Sequence, residues 1–297
     1  MVNAYTTTTV LDNSLPTYLA ETRLTLQGGN IVWNLIDKEK LPNNQGLSVN
    51  IPKNGTVTAS RLTEGVAISS AQAITDTTLS ISPAEDGVMI VLTERALRRT
   101  TSGLMARSGK ITANAMNRLM ETNLLTLFSG ASGGLGSAGT VMTIGHIQAA
   151  HVQVMRGSTG TNPEPGAMAG PIVGVFHPFQ LNSTMADLSG QASGAMVYPT
   201  PEGPSAQVVR NHFVTHLSGI DLFSSYHIDV DASDDAIGAV FAKEAFIGVM
   251  GLEMETKKEY DIQLRGWKIV VRREYGSGEY NDAWVRSMTF DAAAPTS

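Results

Sequence analysis

The chain has no cysteine among its 297 residues, which excludes disulfides, thiolate chemistry and cysteine-ligated zinc or iron–sulfur centres. It has no apolar run near the ~20 residues that a helix needs to cross a bilayer, so we expect no membrane partner. No charged region followed by an apolar one opens the sequence, so we expect no secretory signal. This length is enough for one large or two medium domains.

The chain also lacks an excess of basic residues. Its formal net charge is −6 and its pI is about 5.5. A general nucleic-acid binder needs a clustered basic face, so this balance argues against one. We find no internal repeat, and no H-E-x-x-H zinc motif. The six histidines are most simply structural or exposed: His146, His151, His177, His212, His216 and His227.

Two glycine-rich patterns resemble catalytic or phosphate-binding motifs but lack the context that those motifs need. Ser132 occupies the centre of a G-x-S-x-G match, yet a predicted helix precedes it, whereas a nucleophile elbow follows a strand. Residues 134–139 match G-x-G-x-x-G without a preceding strand or a helix that begins within the motif. We therefore interpret 129–140 as a loop with no core element, and we expect no catalytic residue.

A carboxylate cluster starts at Asp229 and continues with Asp231, Asp234 and Asp235. Its spacing resembles the start of a calcium loop. An EF-hand is excluded because Asp234 replaces the required glycine and Val240 replaces the glutamate at the twelfth position. The remaining alternatives are a solvated turn, which we favour, and a looser calcium site at a subunit contact. We expect no cofactor.

The most informative stretch is 46–99. Leu47, Val49 and Ile51 alternate with polar residues, and Leu79 and Ile81 do so again, which indicates two half-buried strands. About 25 residues rich in Thr, Ser, Ala and Gly separate them, which is long for one connection in a compact domain. A two-stranded arm is marginally stable alone. We therefore expect it to lie on another copy of the chain.

The clearest helical pattern covers about 104–128, where Leu104, Ile111, Ala115 and Leu119 are predicted to share one face, widened by Met116, Met120, Leu124 and Leu127. The other predicted elements are a short helical stretch near Trp33, a helix between Thr143 and Gly157, a strand at 172–176, a helix from His177-Pro178 to about Gly190, strands near 208–217, 219–230 and 237–242, a helical segment at 243–251, and three final strands with turns near Lys258 and Gly276. Helices and strands do not alternate regularly, so the expected class is α+β.

These residues together resemble the major capsid proteins of tailed bacteriophages, which share the Hong Kong 97-type fold. The resemblance lies in Gly46, Val49 and Pro52, the Leu62-Thr63-Glu64-Gly65 run, and Thr93 to Leu97 before a long helix. It implies a Hong Kong 97-like capsid fold. Its expected parts are an N-terminal arm (1–45), an extended β-hairpin loop (46–92), a peripheral domain with the spine helix (93–142 and 243–275) and an axial domain (143–242 and 276–297).

The resemblance also implies a structural protein rather than an enzyme. It would assemble with itself as pentamers and hexamers into an icosahedral head around double-stranded DNA, without sequence-specific binding. Scaffolding, portal and decoration proteins are the other implied partners. The virion is the implied location, after assembly in the host cytoplasm. The extended loop makes Lys53, Arg61 and Glu64 the candidate residues for contacts between subunits.

Some members of this family join their subunits by an isopeptide bond between Lys and Asn that a buried Glu promotes. Lys53 would be the nucleophile here. The positions that match the Asn and the Glu are Arg265 and Arg272, so we predict a non-covalent shell. Two alternatives stay open: an encapsulin-like compartment for a cargo enzyme and, less favoured, a serine hydrolase that uses Ser132.

Overall fold

A computed structural model describes residues 30–41, 46–99 (except 56, 58, 60, 63, 66–70 and 72), 104–157 (except 132), 170–191 and 213–295 (except 218). The predicted N-terminal arm therefore lies mostly outside the described residues. The helices are α1 (Ile31–Leu35), α2 (Glu94–Arg99), α3 (Leu104–Gly130), α4 (Ile144–Arg156) and α5 (Pro178–Gln191). The strands are β1 (Asp37–Lys40), β2 (Val49–Asn54), β3 (Asp76–Ile81), β4 (Ala84–Thr93), β5 (Gly134–Gly136), β6 (Ile172–Phe176), β7 (Phe213–Leu217), β8 (Ile220–Ser224), β9 (Asp235–Ala242), β10 (Phe246–Asp261), β11 (Gly266–Glu279) and β12 (Val285–Asp291).

One sheet has four strands in the order β1-β10-β11-β4. β10 and β11 form a long antiparallel hairpin, and β1 pairs with β10 in parallel. The long helix α3 packs across β11 and β4. The side chains of Ile269, Val271, Arg273 and Tyr275 alternate along β11 and are all buried. This period-two burial is what a strand with one covered face produces.

The second sheet has six strands in the order β5-β12-β9-β6-β8-β7. All five residues of β6 are buried, as in a central strand covered on both faces. Helix α4 packs on β9 and β12. Helix α5 is tied to the same strands by Gln180, whose Nε2 donates to the carbonyls of Ala236 (2.8 Å) and Phe290 (3.0 Å).

The two sheets share one main core with the second half of α3. Phe128 of α3 lies 5.6 Å from Phe241 and 6.0 Å from Phe246, measured between ring centroids. Phe241 lies near the end of β9 and Phe246 begins β10, so these rings join the six-stranded sheet to the four-stranded one. The main core also includes Val32 and Ile36, which bring α1 onto the body.

The predicted helix over 104–128 is confirmed, but its face was assigned in part wrongly. Met116, Met120 and Leu124 are buried as expected, whereas Ile111, Ala115 and Leu119 are exposed. The buried row instead runs from Ser108 and Thr112 through the two methionines to Phe128. Both faces contain apolar residues, so the pattern alone did not show which of them meets the sheets.

The predicted helical segment at 243–251 is wrong. A single 3-10 turn covers Lys243–Ala245, and β10 follows. Phe246, Ile247 and Val249 are buried on the sheet, and a short apolar run such as this one does not distinguish a helix from a strand by periodicity. The turns predicted near Lys258 and Gly276 are also wrong, because β10 and β11 continue through both residues and turn at 262–265.

Two smaller differences concern short strands. The predicted loop at 129–140 contains β5, which pairs in parallel with β12. A three-residue strand rich in glycine has no alternation to detect, so the pattern missed it. The strands expected near 208–217 and 219–230 are present as β7 and β8, and the second is shorter because turns occupy 226–228.

Candidate assembly surfaces

The extended hairpin of β2 and β3 carries exposed apolar side chains on its outer part. Its strands pair from Val49 opposite Ile81 to Asn54 opposite Asp76. Beyond that pairing, Val57, Leu62 and Ile74 are 56%, 62% and 74% exposed. A monomer gains nothing from apolar side chains in water, so these residues point to a partner surface.

The predicted contact residues Arg61 and Glu64 lie on this same outer part, and both are exposed. They are the only charged residues between 54 and 75 in the sequence. Neither takes part in an ion pair among the described residues. Both charges are therefore available to a neighbouring molecule.

Lys53 lies at the root of the hairpin rather than on its outer part. Its Nζ lies 5.4 Å from the centroid of the Tyr280 ring, in cation–π geometry. The Tyr280 hydroxyl donates to the carbonyl of Pro52 at 3.3 Å. In the isolated subunit, Lys53 therefore helps to hold the hairpin on its own body.

A small apolar cluster completes the root. Ile81 is buried with Ile247 and Val249, and Val49, Ile51 and Leu79 pack on them. The predicted alternation is thus confirmed except at Leu47, which precedes the strand and is 89% exposed. Gly276 of β11 lets the end of the hairpin approach that strand closely. A Cβ at this position would lie 2.9 Å from Ile81 Cγ2 and 3.1 Å from Pro83 Cα.

The body of the subunit also presents apolar side chains to solvent. They include Met89 on β4, Ile111 and Leu119 on α3, and Ile262 at the β10–β11 turn. Of these four, Met89, Ile111 and Ile262 are more than half exposed. The subunit therefore displays unpaired apolar surface both on its hairpin and on its body.

Comparison with known proteins gives no match to a family model and no match to a curated protein sequence. Solved structures do match. The capsid of cyanophage P-SCSP1u aligns with a TM-score of 0.66 at 14% identity, covering 96% of this chain and 95% of that one. The capsid of Ralstonia phage GP4 aligns with a TM-score of 0.67 at 15% identity, covering 89% and 88%.

A third match is the capsid of a native GTA particle, with a TM-score of 0.67 at 11% identity over 93% of this chain and 95% of that one. The alignments cover nearly whole chains in both directions, and the mixed helices and sheets agree with the expected α+β class. The chain has the Hong Kong 97-type capsid fold. The parts of the chain expected to form the extended loop and the spine helix correspond in position to β2–β3 and to α3.

Within the capsid fold, the positions expected to matter for cross-linking carry no suitable partner for Lys53. Arg265 lies in the turn after β10, with a φ of 47°. Arg272 lies in β11, where its guanidinium pairs with Glu255 at 2.9 Å and Glu85 at 3.5 Å. An arginine supplies neither the amide that a lysine would attack nor the carboxylate that would take its proton.

The other residues considered for catalysis or metal binding are Ser132 and the carboxylate cluster that starts at Asp229. Ser132 lies outside the described residues, and the segment before it is the helix α3, as the sequence predicted. Asp231 accepts the N–H groups of Ser233 and Asp235, and Asp235 accepts that of Gly139. Across the described ranges, no three His, Cys, Asp or Glu residues are grouped as a metal site.

The histidines that the structure describes mostly have local partners. His146 Nδ1 accepts the N–H of Thr143, which closes the start of α4 where the sequence predicted it. His177 accepts the N–H of Phe179, and burial lowers its pKa. His216 pairs with Asp221 across β7 and β8 at 2.7 Å. His212 lies outside the described residues.

Among the described helices, none is long and apolar enough to span a membrane.

Sequence reasoning missed several buried charged residues of the described chain, among them Arg273 and Glu121. Arg273 is 4% exposed; its Nη2 donates to the carbonyl of Met116 at 2.5 Å and its Nη1 to Asn117 Oδ1 at 3.3 Å. Glu121 of α3 is fully buried, and burial raises its pKa to about 7. The available signal was position, because Glu121 lies between Met120 and Leu124 on the core side of a helix.

Proposed function

We propose that the chain is a major capsid protein, a structural subunit without enzymatic activity. Copies would assemble as pentamers and hexamers into the icosahedral head that encloses the double-stranded DNA of a tailed phage. The observation that supports this most is the likeness to phage capsids over nearly the full length of the chain, together with an extended loop whose apolar side chains are exposed.

Assembly would follow from the geometry of that loop. Val57, Leu62 and Ile74 gain free energy only when another copy covers them, at roughly 1.5–3 kcal/mol for each fully buried side chain. The contact is heterologous, because the loop of one copy meets a different surface of the next. Such contacts close into rings when the rotation between subunits closes.

Charge would set the register of these contacts. Arg61 and Glu64 give the outer loop one charge of each sign, and complementary charges fix orientation and partner choice more than affinity. Lys53, by contrast, has a partner on its own subunit. We therefore rank Arg61 and Glu64 above Lys53 as residues for contact between subunits.

The proposal extends to the organisation of the chain and its surroundings. We keep the division into an arm (1–45), an extended loop (46–92), a peripheral domain (93–142 and 243–275) and an axial domain (143–242 and 276–297). A net charge of −6 suits a container whose inner wall does not hold DNA tightly. Scaffolding, portal and decoration proteins are the other proposed partners, and assembly in the host cytoplasm leads to the virion.

An encapsulin-like compartment is the alternative with the same fold. Electron microscopy and light scattering of the purified protein, expressed with any scaffold that it needs, test the proposal. We expect hollow icosahedral particles. Monomers under every condition would contradict shell formation, whereas particles that enclose a host enzyme and no DNA in their native source would favour the compartment.

A further inference from the structure

The carboxylate of Glu121 joins three parts of the chain. It projects from the middle of the spine helix α3 and accepts the backbone N–H of Val32, with distances of 3.3 and 3.2 Å to its two oxygens. Oε1 also accepts the Ser225 hydroxyl at 3.4 Å, from the loop after β8. Glu121 therefore bonds to the start of α1 and to the six-stranded side of the subunit at the same time.

This junction holds the first described segment of the chain, residues 30–36, on the body. Asn30 Nδ2 contacts Asn117 Oδ1 at 3.4 Å, one helical turn before Glu121. Val32 and Ile36 are buried in the same core cluster as Met120 and Leu124. After this segment, β1 joins the four-stranded sheet. Residues 30–36 are thus held on the body by contacts with α3.

Glu121 is ionisable and buried, and the groups that act on its pKa include no cation among the described residues. The cations on the neighbouring elements have contacts elsewhere or are exposed. Arg273 donates to Met116 and Asn117, Lys38 lies over Trp33, and Arg118 is exposed. Tyr226 and His227 follow Ser225 in the loop, and burial together with the nearby charge of Glu121 raises the pKa of Tyr226.

Burial raises the pKa of Glu121 to about 7, and this effect exceeds that of the N–H and O–H donors, which lower the pKa. If residues 30–36 lift away, water reaches the carboxyl and its pKa returns towards the ordinary value of 4.5. Lifting is then coupled to loss of a proton. It becomes easier as pH rises from about 4.5 to 7, and the segment is held most firmly at acid pH.

We propose that Glu121 is a proton-dependent latch, which anchors residues 30–36 to the spine helix when protonated and releases them more readily when ionised. The latch belongs to the single subunit and does not depend on the proposed assembly. The attachment of residues 30–36 to α3 then depends on pH near neutrality.

Hydrogen exchange of the full-length, unassembled protein tests this proposal, with rates corrected for the intrinsic effect of pH. From pH 5.5 to pH 8, the protection of amides 31–36 should fall roughly thirtyfold in the wild type, the linkage expected for this shift in pKa. Glu121→Gln keeps the shape but cannot ionise, so protection should stay flat with pH. A wild-type protein without pH dependence, or a Glu121→Gln variant that keeps it, overturns the latch.

Two further variants keep the test decisive if Glu121→Gln does not fold. Ser225→Ala removes a donor that favours the ionised form, so the midpoint of the transition should move to higher pH. His227→Gln removes the nearest histidine of the loop and should leave the transition in place. If instead His227→Gln abolishes the transition while Ser225→Ala leaves its midpoint unchanged, the titrating group is His227 and the proposal is wrong.

Discussion

Adjacent arginines of β11 illustrate how much the environment of a residue matters. Arg272 and Arg273 follow one another, so their side chains leave opposite faces of the sheet. Arg272 joins a partly exposed network with Glu85 and Glu255. Arg273 is buried under α3 and donates to its backbone, and desolvation lowers its pKa. The same residue type is a surface charge in one case and a tie between helix and sheet in the other.

Truncating these two arginines should therefore have different costs. Arg273→Ala removes hydrogen bonds from a buried charged group and leaves a cavity, and we expect a loss of about 2–4 kcal/mol in the free energy of unfolding. Arg272→Ala is the matched control, with an expected loss of about 0–1 kcal/mol. Urea denaturation of the unassembled subunit measures both. Equal losses would show that Arg273 does not tie α3 to the sheet.

The stability of the whole subunit should also depend on pH. The pKa of Glu121 is raised to about 7 in the folded state, so between about pH 4.5 and 7 the folded chain holds a proton that the unfolded chain has lost. The free energy of unfolding should then fall by about 2 kcal/mol from pH 5 to pH 8. Burial and the neighbouring Asp282 also raise the pKa of Glu279 to about 7. Because Glu279 is partly exposed, it should add a smaller fall in the free energy of unfolding.

Denaturation curves at pH 5, 6, 7 and 8 check this expectation. Hydrogen bonds lower the pKa values of the half-buried carboxyls Glu94, Glu255 and Asp261. These three groups make the free energy of unfolding rise with pH, but only below about pH 4.5. They therefore do not cancel the fall expected between pH 5 and pH 8. A stability that rises from pH 5 to pH 8 would show that the buried glutamates do not control it.

Among the elements, the extended loop divides into a root that belongs to the subunit and an outer part that does not. The root is held by the cluster of Ile81, Ile247 and Val249 and by the contacts of Tyr280. The outer part has exposed apolar residues and two charges without a described ion pair. Removing only the outer part should therefore spare the fold and affect assembly.

The pairing of Asn54 with Asp76 offers a place to make that cut. Replacing 55–75 by Asn-Gly closes the hairpin with a two-residue turn that suits antiparallel strands. We expect circular dichroism and solubility near those of the wild type, and no particles by electron microscopy. Val57→Ser, Leu62→Ser and Ile74→Ser together, which keep the backbone, should weaken assembly in the same direction. A shortened chain that unfolds or precipitates would place 55–75 in the subunit's own core.

For the whole molecule, the chemistry at the loop predicts how a shell would come apart. The resemblance to cross-linking capsid proteins implies Asn and Glu at the positions of Arg265 and Arg272, and Lys53 lies against Tyr280. Denaturing electrophoresis of mature particles should then show a single band near 31.5 kDa. Lys53→Arg, which cannot form an isopeptide bond, is the control and should give the same band. A ladder of larger species that Lys53→Arg removes would contradict a non-covalent shell.

The fold of the whole molecule could be recognised from its sequence because local signals occurred in a characteristic order. Period-two alternation marked Val49, Ile51, Leu79 and Ile81, and a long apolar-polar pattern marked α3. Thr143 and Gly157 marked the ends of α4 by their preferences for caps, and the structure places Gly157 at a φ of 73°. Each of these signals depends on residues a few positions apart, so one sequence contains them.

What only the tertiary structure decided depends on partners far apart in the chain. The spine helix has apolar residues on two sides, and the sheets cover the side of Met116 and Met120 rather than that of Ile111 and Leu119. Arg273 and Glu121 are buried because elements distant in the sequence pack over them. Lys53 contacts Tyr280, which lies 227 positions later in the chain. The sequence determined most of the elements and their order, because these depend on local conformational preferences. The exceptions were β5 and the start of β10. The choice of buried face, and with it the roles of the charged residues, was decided by how the elements pack.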